Sequence, residues 1–211
     1  MSGKRKGYLL EIVLVPVEAK QFVIFYYYFV IIERKILAAI ILLGDSITAG
    51  FPTDTLLKEF SVLNKGVAGD RTDHVLERLN RDVIVLAPSA VFLLVGINDI
   101  GGGFSNNTLL VNYERLILRI TKNVPGGKLF IESILPTRGI DNRPLERIQL
   151  LNVEIHKLAM KYGIKFLDIY PLFVNAKGEL GEEFSDDGIH LTLPAYEKWA
   201  DYLKQIFTTM L

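Results

Sequence analysis

The chain has 211 residues, with 24 Lys plus Arg balanced by 24 Asp plus Glu and no cysteine. That length bounds one large domain or two small ones. The even charge leaves no basic field to hold nucleic acid or acidic lipid. The missing thiols exclude a disulfide scaffold and a thiolate metal site.

The amino-terminal segment departs from the rest. Lys4-Arg5-Lys6 precedes an apolar stretch at 9–17, as in a signal peptide, but Glu11 and Pro16 interrupt it and no small-x-small cleavage site follows before Lys20. Residues 22–32 are intensely apolar and aromatic, yet too short for the roughly 20 residues that span a bilayer. Their β-branched and aromatic character makes two paired strands the first expectation. A membrane-contacting helix and a disordered extension are the other readings, the membrane contact not favoured. A homodimer formed through 22–32 also stays open. Residues 1–35 are thus set apart as an extension, with a single domain expected over 36–211.

From residue 38 the chain alternates strand and helix patterns. Residues 38–43 form a short unbroken apolar run, as in a strand buried on both faces. It stops at Gly44-Asp45-Ser46, turns at Gly50-Phe51-Pro52, and enters a short helical pattern at 53–60. A strand at 61–66 follows, then a helix that Thr72 would cap, with Val75, Leu76 and Leu79 as its apolar stripe. A buried strand at 90–95 ends at Gly96-Ile97-Asn98-Asp99, ahead of Gly101-Gly102-Gly103. Then come a helix at 107–122, a strand at 128–134, a helix at 143–162 closed by Gly163, a strand at 164–169 and a terminal helix from 194. Strands alternating with long helices call for a parallel sheet covered on both faces. The expected fold is a three-layer α/β/α, flavodoxin-like, five-stranded parallel sheet in the order 2-1-3-4-5. Ser46, Gly69 and Asn98 then follow strands one, two and three, at the carboxyl ends where open sheets of this kind bind ligands.

A serine nucleophile needs a base within hydrogen-bond reach, itself oriented by a third group. Of the three histidines, His74 and His156 lie inside helices and read as surface or packing residues. His190 sits in Ser185-Asp186-Asp187-Gly188-Ile189-His190, three residues after Asp187. One turn of backbone could present both side chains together; a helix-capping acidic loop with an incidental histidine explains the same residues. For a developing oxyanion, Asn98 can offer its side-chain amide, Gly69 an unobstructed backbone N–H, and Ser46 its own N–H. Asp45 as a phosphoryl acceptor is a weaker reading, since no lysine or Mg²⁺-binding set accompanies it.

Gly44-Asp45-Ser46-Ile47, Gly66-Val67-Ala68-Gly69-Asp70-Arg71-Thr72, Gly96-Ile97-Asn98-Asp99 and Asp187-Gly188-Ile189-His190 resemble, in this order, the four blocks of the SGNH hydrolases, or GDSL-type esterases and lipases. The second block, running on to Leu79, is most similar to the platelet-activating-factor acetylhydrolase branch and its bacterial acylhydrolase relatives. The resemblance covers about residue 36 to the end and departs mildly in Ile47, where the family name has leucine. It implies Ser46 as nucleophile, His190 as general base and Asp187 as its orienting carboxylate. Gly69 and Asn98, with the Ser46 amide, would form the oxyanion hole, and Asp45, Asp99 and Asp186 would be structural. The implied activity is hydrolysis of short-chain acyl esters through an acyl-enzyme, with no metal and no cofactor. A carbohydrate O-acetylesterase, a lysophospholipase or thioesterase, and a non-catalytic binding member stay open. Phe51, Gly101, Phe104 and Leu135 are expected to border the substrate pocket, the glycines as an adaptable lip. The partner is a small-molecule ester and the location expected first is the cytoplasm, membrane-associated or exported forms remaining open.

Overall fold

The computed structural model describes residues 39–210. The expectations for residues 1–35 lie outside the described residues. Five strands, β1 (Ile40–Gly44), β2 (Val62–Gly66), β3 (Ala90–Leu94), β4 (Lys128–Glu132) and β5 (Lys165–Leu167), pair in the order β2-β1-β3-β4-β5. All four pairings are parallel, and Gly44 stands level with Gly66 on one side and Leu94 on the other. The carboxyl ends of the first three strands therefore lie side by side, as the apolar runs and their polar stops predict.

The helices are α1 (Ser46–Ala49), α2 (Thr53–Leu56), α3 (Thr72–Leu79), α4 (Ile97–Gly101), α5 (Asn106–Asn123), α6 (Leu145–Lys161) and α7 (Leu193–Met210). One face of the sheet is aromatic: Phe92 on β3 stacks on its register partner Phe130 at 4.5 Å, and Phe207 of α7 meets Phe92 edge-on at 5.1 Å. Side chains alternate across a strand, so Val91, Leu93 and Ile131, all fully buried, point to the opposite face. The central strands β1 and β3 are apolar and buried throughout because helices cover both faces. Helix α6 ends as expected at Gly163, whose φ is +66°. The Gly163 N–H bonds the Met160 carbonyl and the Ile164 N–H bonds that of Ala159, the paired closure of a Schellman end.

Three local expectations change. The helical pattern at 53–60 yields only α2, because Leu57 has left helical geometry and its side chain is completely buried. The serine turn contains a one-turn helix of its own, α1. Thr72 is the first residue of α3 rather than its cap; Arg71 takes the cap position, and the Thr72 N–H and hydroxyl both donate to Asp99. No helix among the described residues is long and apolar enough to cross a membrane.

Candidate active site

The nucleophile turn is built by close packing. A Cβ on Gly44 would overlap both the Leu94 carbonyl oxygen and the Thr48 hydroxyl, so only glycine lets β1 turn here against β3. Asp45 caps α1, its Oδ1 accepting the Ile47 N–H at 3.0 Å. Burial pushes the Asp45 carboxyl up to about 7, against the Ile47 N–H and the charge of His190, which favour ionisation. Asp45 is 1% exposed and its carboxyl is bonded within its own turn. Ser46 opens α1, so its own N–H has no intrahelical acceptor. From α7, the Tyr196 hydroxyl donates to the Ile47 carbonyl at 2.8 Å and holds the turn from below.

The loop after β2 is fixed to that turn by Arg78, whose side chain is 8% exposed. Its Nε donates to Asp70 at 2.6 Å, one Nη to Asp82 at 3.0 Å and the other to the Gly44 carbonyl at 2.9 Å. Hydrogen bonds from Arg81 and Arg78 hold the Asp82 carboxyl down at about 2, against partial burial. Gly69, just before this anchor, is exposed with φ +80°, a conformation that favours glycine and presents backbone to solvent.

The loop after β3 is bonded to the loop after β2. Asn98 donates from Nδ2 to the Asp70 carbonyl at 3.0 Å. Asp99, completely buried, accepts the Thr72 N–H at 3.0 Å and the Thr72 hydroxyl at 2.5 Å, and Asn112 of α5 donates to that hydroxyl. Burial raises the Asp99 carboxyl, while the two Thr72 bonds favour its ionised form.

The fourth loop supplies the imidazole. His190 Nε2 lies 2.9 Å from Ser46 Oγ, across 144 positions of sequence. His190 Nδ1 lies 2.6 Å from Asp187 Oδ2, while Asp187 Oδ1 accepts the backbone N–H groups of His190 and Ile189 at 2.7 and 2.9 Å. Slight burial would raise the Asp187 carboxyl, but these bonds outweigh it and hold it well below the usual carboxylate range. An ionised Asp187 requires the proton on Nδ1, leaving Nε2 to accept from the Ser46 hydroxyl. Arg138 braces this loop: its Nε donates to the Leu180 carbonyl, its Nη2 to that of Ser185, and its N–H to that of Gly188. Gly188, at φ +80°, has no room for a Cβ against the Arg138 carbonyl.

Ser46, His190 and Asp187 thus form one continuous hydrogen-bonded line, and Asp70 and Asn98 link the loops that carry Gly69 and Asn98. Two of the four expected pocket residues have buried side chains. Phe51 is 3% exposed and packs edge-on against Tyr196 and Trp199, and Leu135 is 1% exposed. Both apolar side chains turn inward because core burial outcompetes a place at a wet rim. Phe104 is half-buried, with the Arg71 guanidinium 4.7 Å from its ring centre. Gly101 serves a packing need, since a Cβ there would overlap the Arg143 guanidinium. His74 lies beside Arg71 and Asp70, and His156 stacks on Phe166, the surface and packing roles expected of them. Sequence reasoning missed the arginines. Arg78 carried a signal, standing at helical spacing from buried Val75 with Asp82 four residues on.

The chain is similar to known proteins in sequence and in fold. The platelet-activating factor acetylhydrolase IB subunit alpha2 of Rattus norvegicus is 30% identical over 169 residues, 74% of this chain and 68% of its own length. A GDSL-like lipase from Bacteroides thetaiotaomicron superposes with a TM-score of 0.75 at 24% identity, covering 88% of this chain and 98% of its own. An acetylxylan esterase from Geobacillus stearothermophilus gives a TM-score of 0.67 at 17% identity, covering 80% and 94%. The likeness to these two solved structures is one of fold. A family model described as GDSL-like lipase/acylhydrolase matches residues 42–198, and the chain belongs to that family of hydrolases.

Proposed function

We propose that this protein is a serine ester hydrolase that cleaves short-chain acyl esters through an acyl-enzyme. The observation that carries this reading is the line Ser46 Oγ, His190 Nε2, His190 Nδ1, Asp187 Oδ2, with contacts of 2.9 and 2.6 Å. His190 Nε2 takes the Ser46 proton as Oγ bonds to the ester carbonyl carbon. The oxyanion meets the N–H groups of Ser46 and Gly69 and the Asn98 amide. Its collapse breaks the bond to the alcohol oxygen, which leaves with the proton from Nε2. Water then attacks the acyl-enzyme by the same steps in reverse, restoring the Ser46 hydroxyl and releasing the acid.

Side-chain exposures of 53% for His190 and 54% for Asp187 describe an open centre. With Phe51 and Leu135 turned into the core, neither lines an apolar trench for a long chain. A short acyl group on a bulky alcohol fits such a centre, which favours an acetylated saccharide as the second reading beside simple acyl esters. The acetylxylan esterase of like fold agrees with it.

The test is hydrolysis of p-nitrophenyl acetate by the full chain and by Ser46→Ala. The expected result is loss of turnover by on the order of 10⁴-fold or more. Equal rates would remove the enzymatic reading and leave a binding protein. Run on the wild-type chain, p-nitrophenyl esters of increasing length beside acetylated xylose then separate the substrate classes. Rates should fall as the acyl chain lengthens. We assign the activity to residues 36–211, because the site described spans 44–190; a chain starting at Ile36 should keep it.

A further inference from the structure

The glycine run after Asn98 has a use other than a flexible lip, and it concerns how the Asn98 amide is aimed. A side-chain amide can sit either way round, and only one orientation points N–H groups at an oxyanion. Arg143, two residues before α6, reaches back over 45 positions to this amide. Its Nη2 donates to Asn98 Oδ1 at 3.4 Å and its Nε to the Ile97 carbonyl at 3.1 Å. Its Nη1 donates to Asn142 Oδ1 at 3.1 Å, and Asn142 donates in turn to the Gly101 carbonyl at 3.1 Å. The Arg143 backbone is pinned as well: its N–H bonds the Ile140 carbonyl, and its carbonyl accepts the Thr137 hydroxyl at 2.8 Å. The guanidinium occupies the space where a Cβ of residue 101 would stand.

We propose that Arg143 is a positioning residue for Asn98: the guanidinium claims the amide oxygen, so that Nδ2 faces the reaction centre as donor, and Gly101 is the slot that admits it. The geometry divides the amide cleanly. Among the described residues Oδ1 accepts from the Arg143 guanidinium and one Nδ2 hydrogen goes to the Asp70 carbonyl, which leaves the second for the oxyanion. A positive group on the oxygen also polarises the amide and strengthens its N–H as a donor. A lysine at 143 could reach the Ile97 carbonyl or Asn98 Oδ1 but not both, because it lacks the rigid fork. Gly101 has φ outside the left-handed region, so alanine there meets no backbone penalty and acts only by displacing the guanidinium. This inference rests on the assignment of Asn98 to the oxyanion hole.

The experiment is a double-mutant cycle in kcat on p-nitrophenyl acetate, using the full chain, with circular dichroism and melting of every variant. Asn98→Ala should cost on the order of 100- to 1,000-fold in kcat. Arg143→Ala should cost about 10-fold or more, with KM little changed, because the group acts on the developing charge rather than on ground-state binding. In the Asn98→Ala background, Arg143→Ala should cost nothing further. Gly101→Ala should follow the same pattern with the arginine still present. If Arg143→Ala does not fold, Arg143→Lys and Gly101→Ala complete the cycle. Effects that multiply, or a folded Gly101→Ala or Arg143→Lys at the wild-type rate, would overturn the proposal. Full activity of Ser46→Ala would instead overturn the hydrolase mechanism, which separates the two failures.

Discussion

Asp187 divides its two oxygens between different tasks. Oδ1 fixes the backbone by accepting from His190 and Ile189, and Oδ2 orients the ring through Nδ1. The depressed carboxyl keeps the side chain ionised well into acid, as a group that orients the ring must be. Asp187→Asn separates the tasks. The amide oxygen can still accept the two backbone N–H groups, but the NH₂ would face Nδ1 as a donor. The ring must then carry its proton on Nε2, where it cannot accept from Ser46. We expect kcat on p-nitrophenyl acetate to fall by on the order of 10³- to 10⁴-fold, with an unchanged circular dichroism spectrum. A loss below about tenfold would show that the ring is oriented by something else.

At the scale of elements, buried or half-buried arginines tie separate loops to one another. Arg78 joins the ends of β1 and α3 to the Asp70 loop, Arg138 joins the chain after β4 to the histidine loop, and Arg147 donates to the Phe104 carbonyl and to Asn106 at the start of α5. Each spans roughly 30 to 50 positions of sequence where it crosses between loops. That distance explains what could be read in advance. A parallel strand buried on both faces writes itself as an apolar run, and its polar stop marks the end of the sheet where chemistry collects. The sheet order and the lining-up of Ser46, Gly69 and Asn98 behind adjacent strands were therefore legible. The inward turn of Phe51, the loss of helix after Leu56 and the arginine struts depend on what another part of the chain brings near, and no local pattern encodes that. Arg78→Met tests the strut. Removing the cation leaves Asp70 and Asp82 without their shared buried partner, with the more exposed Arg81, Arg71 and His74 around them. We expect a loss of about 3–5 kcal/mol in urea unfolding; a loss within about 0.5 kcal/mol would mean that the buried cluster contributes little.

For the whole molecule, a buried polar pair joins the aromatic face of the sheet to α7. Glu132 ends β4 at 1% exposure and accepts the Trp199 indole N–H at 2.7 Å, Trp199 being completely buried on α7. Burial pushes the Glu132 carboxyl up from 4.5 to about 8, only partly offset by the indole bond. Below pH 4.5 the group is protonated in both folded and unfolded chains and costs nothing. Between 4.5 and about 8 the folded protein retains a proton that the unfolded chain releases. The unfolded state then binds fewer protons, so stability falls with rising pH, by at most ~1.4 kcal/mol per pH unit. Above about 8 this contribution is flat. Glu132→Gln isolates it, because the amide oxygen still accepts from Trp199 and nothing titrates. The variant and the wild type should unfold at similar urea concentrations near pH 4.5. The advantage of the variant should grow to a few kcal/mol by pH 8.5. Because α7 also holds the serine turn through Tyr196, the same pH rise should loosen the helix that supports Ser46. A difference between the two proteins that stays constant from pH 4.5 to 8.5 would mean that Glu132 is ionised in the core, and the cost of its burial would have to be met elsewhere.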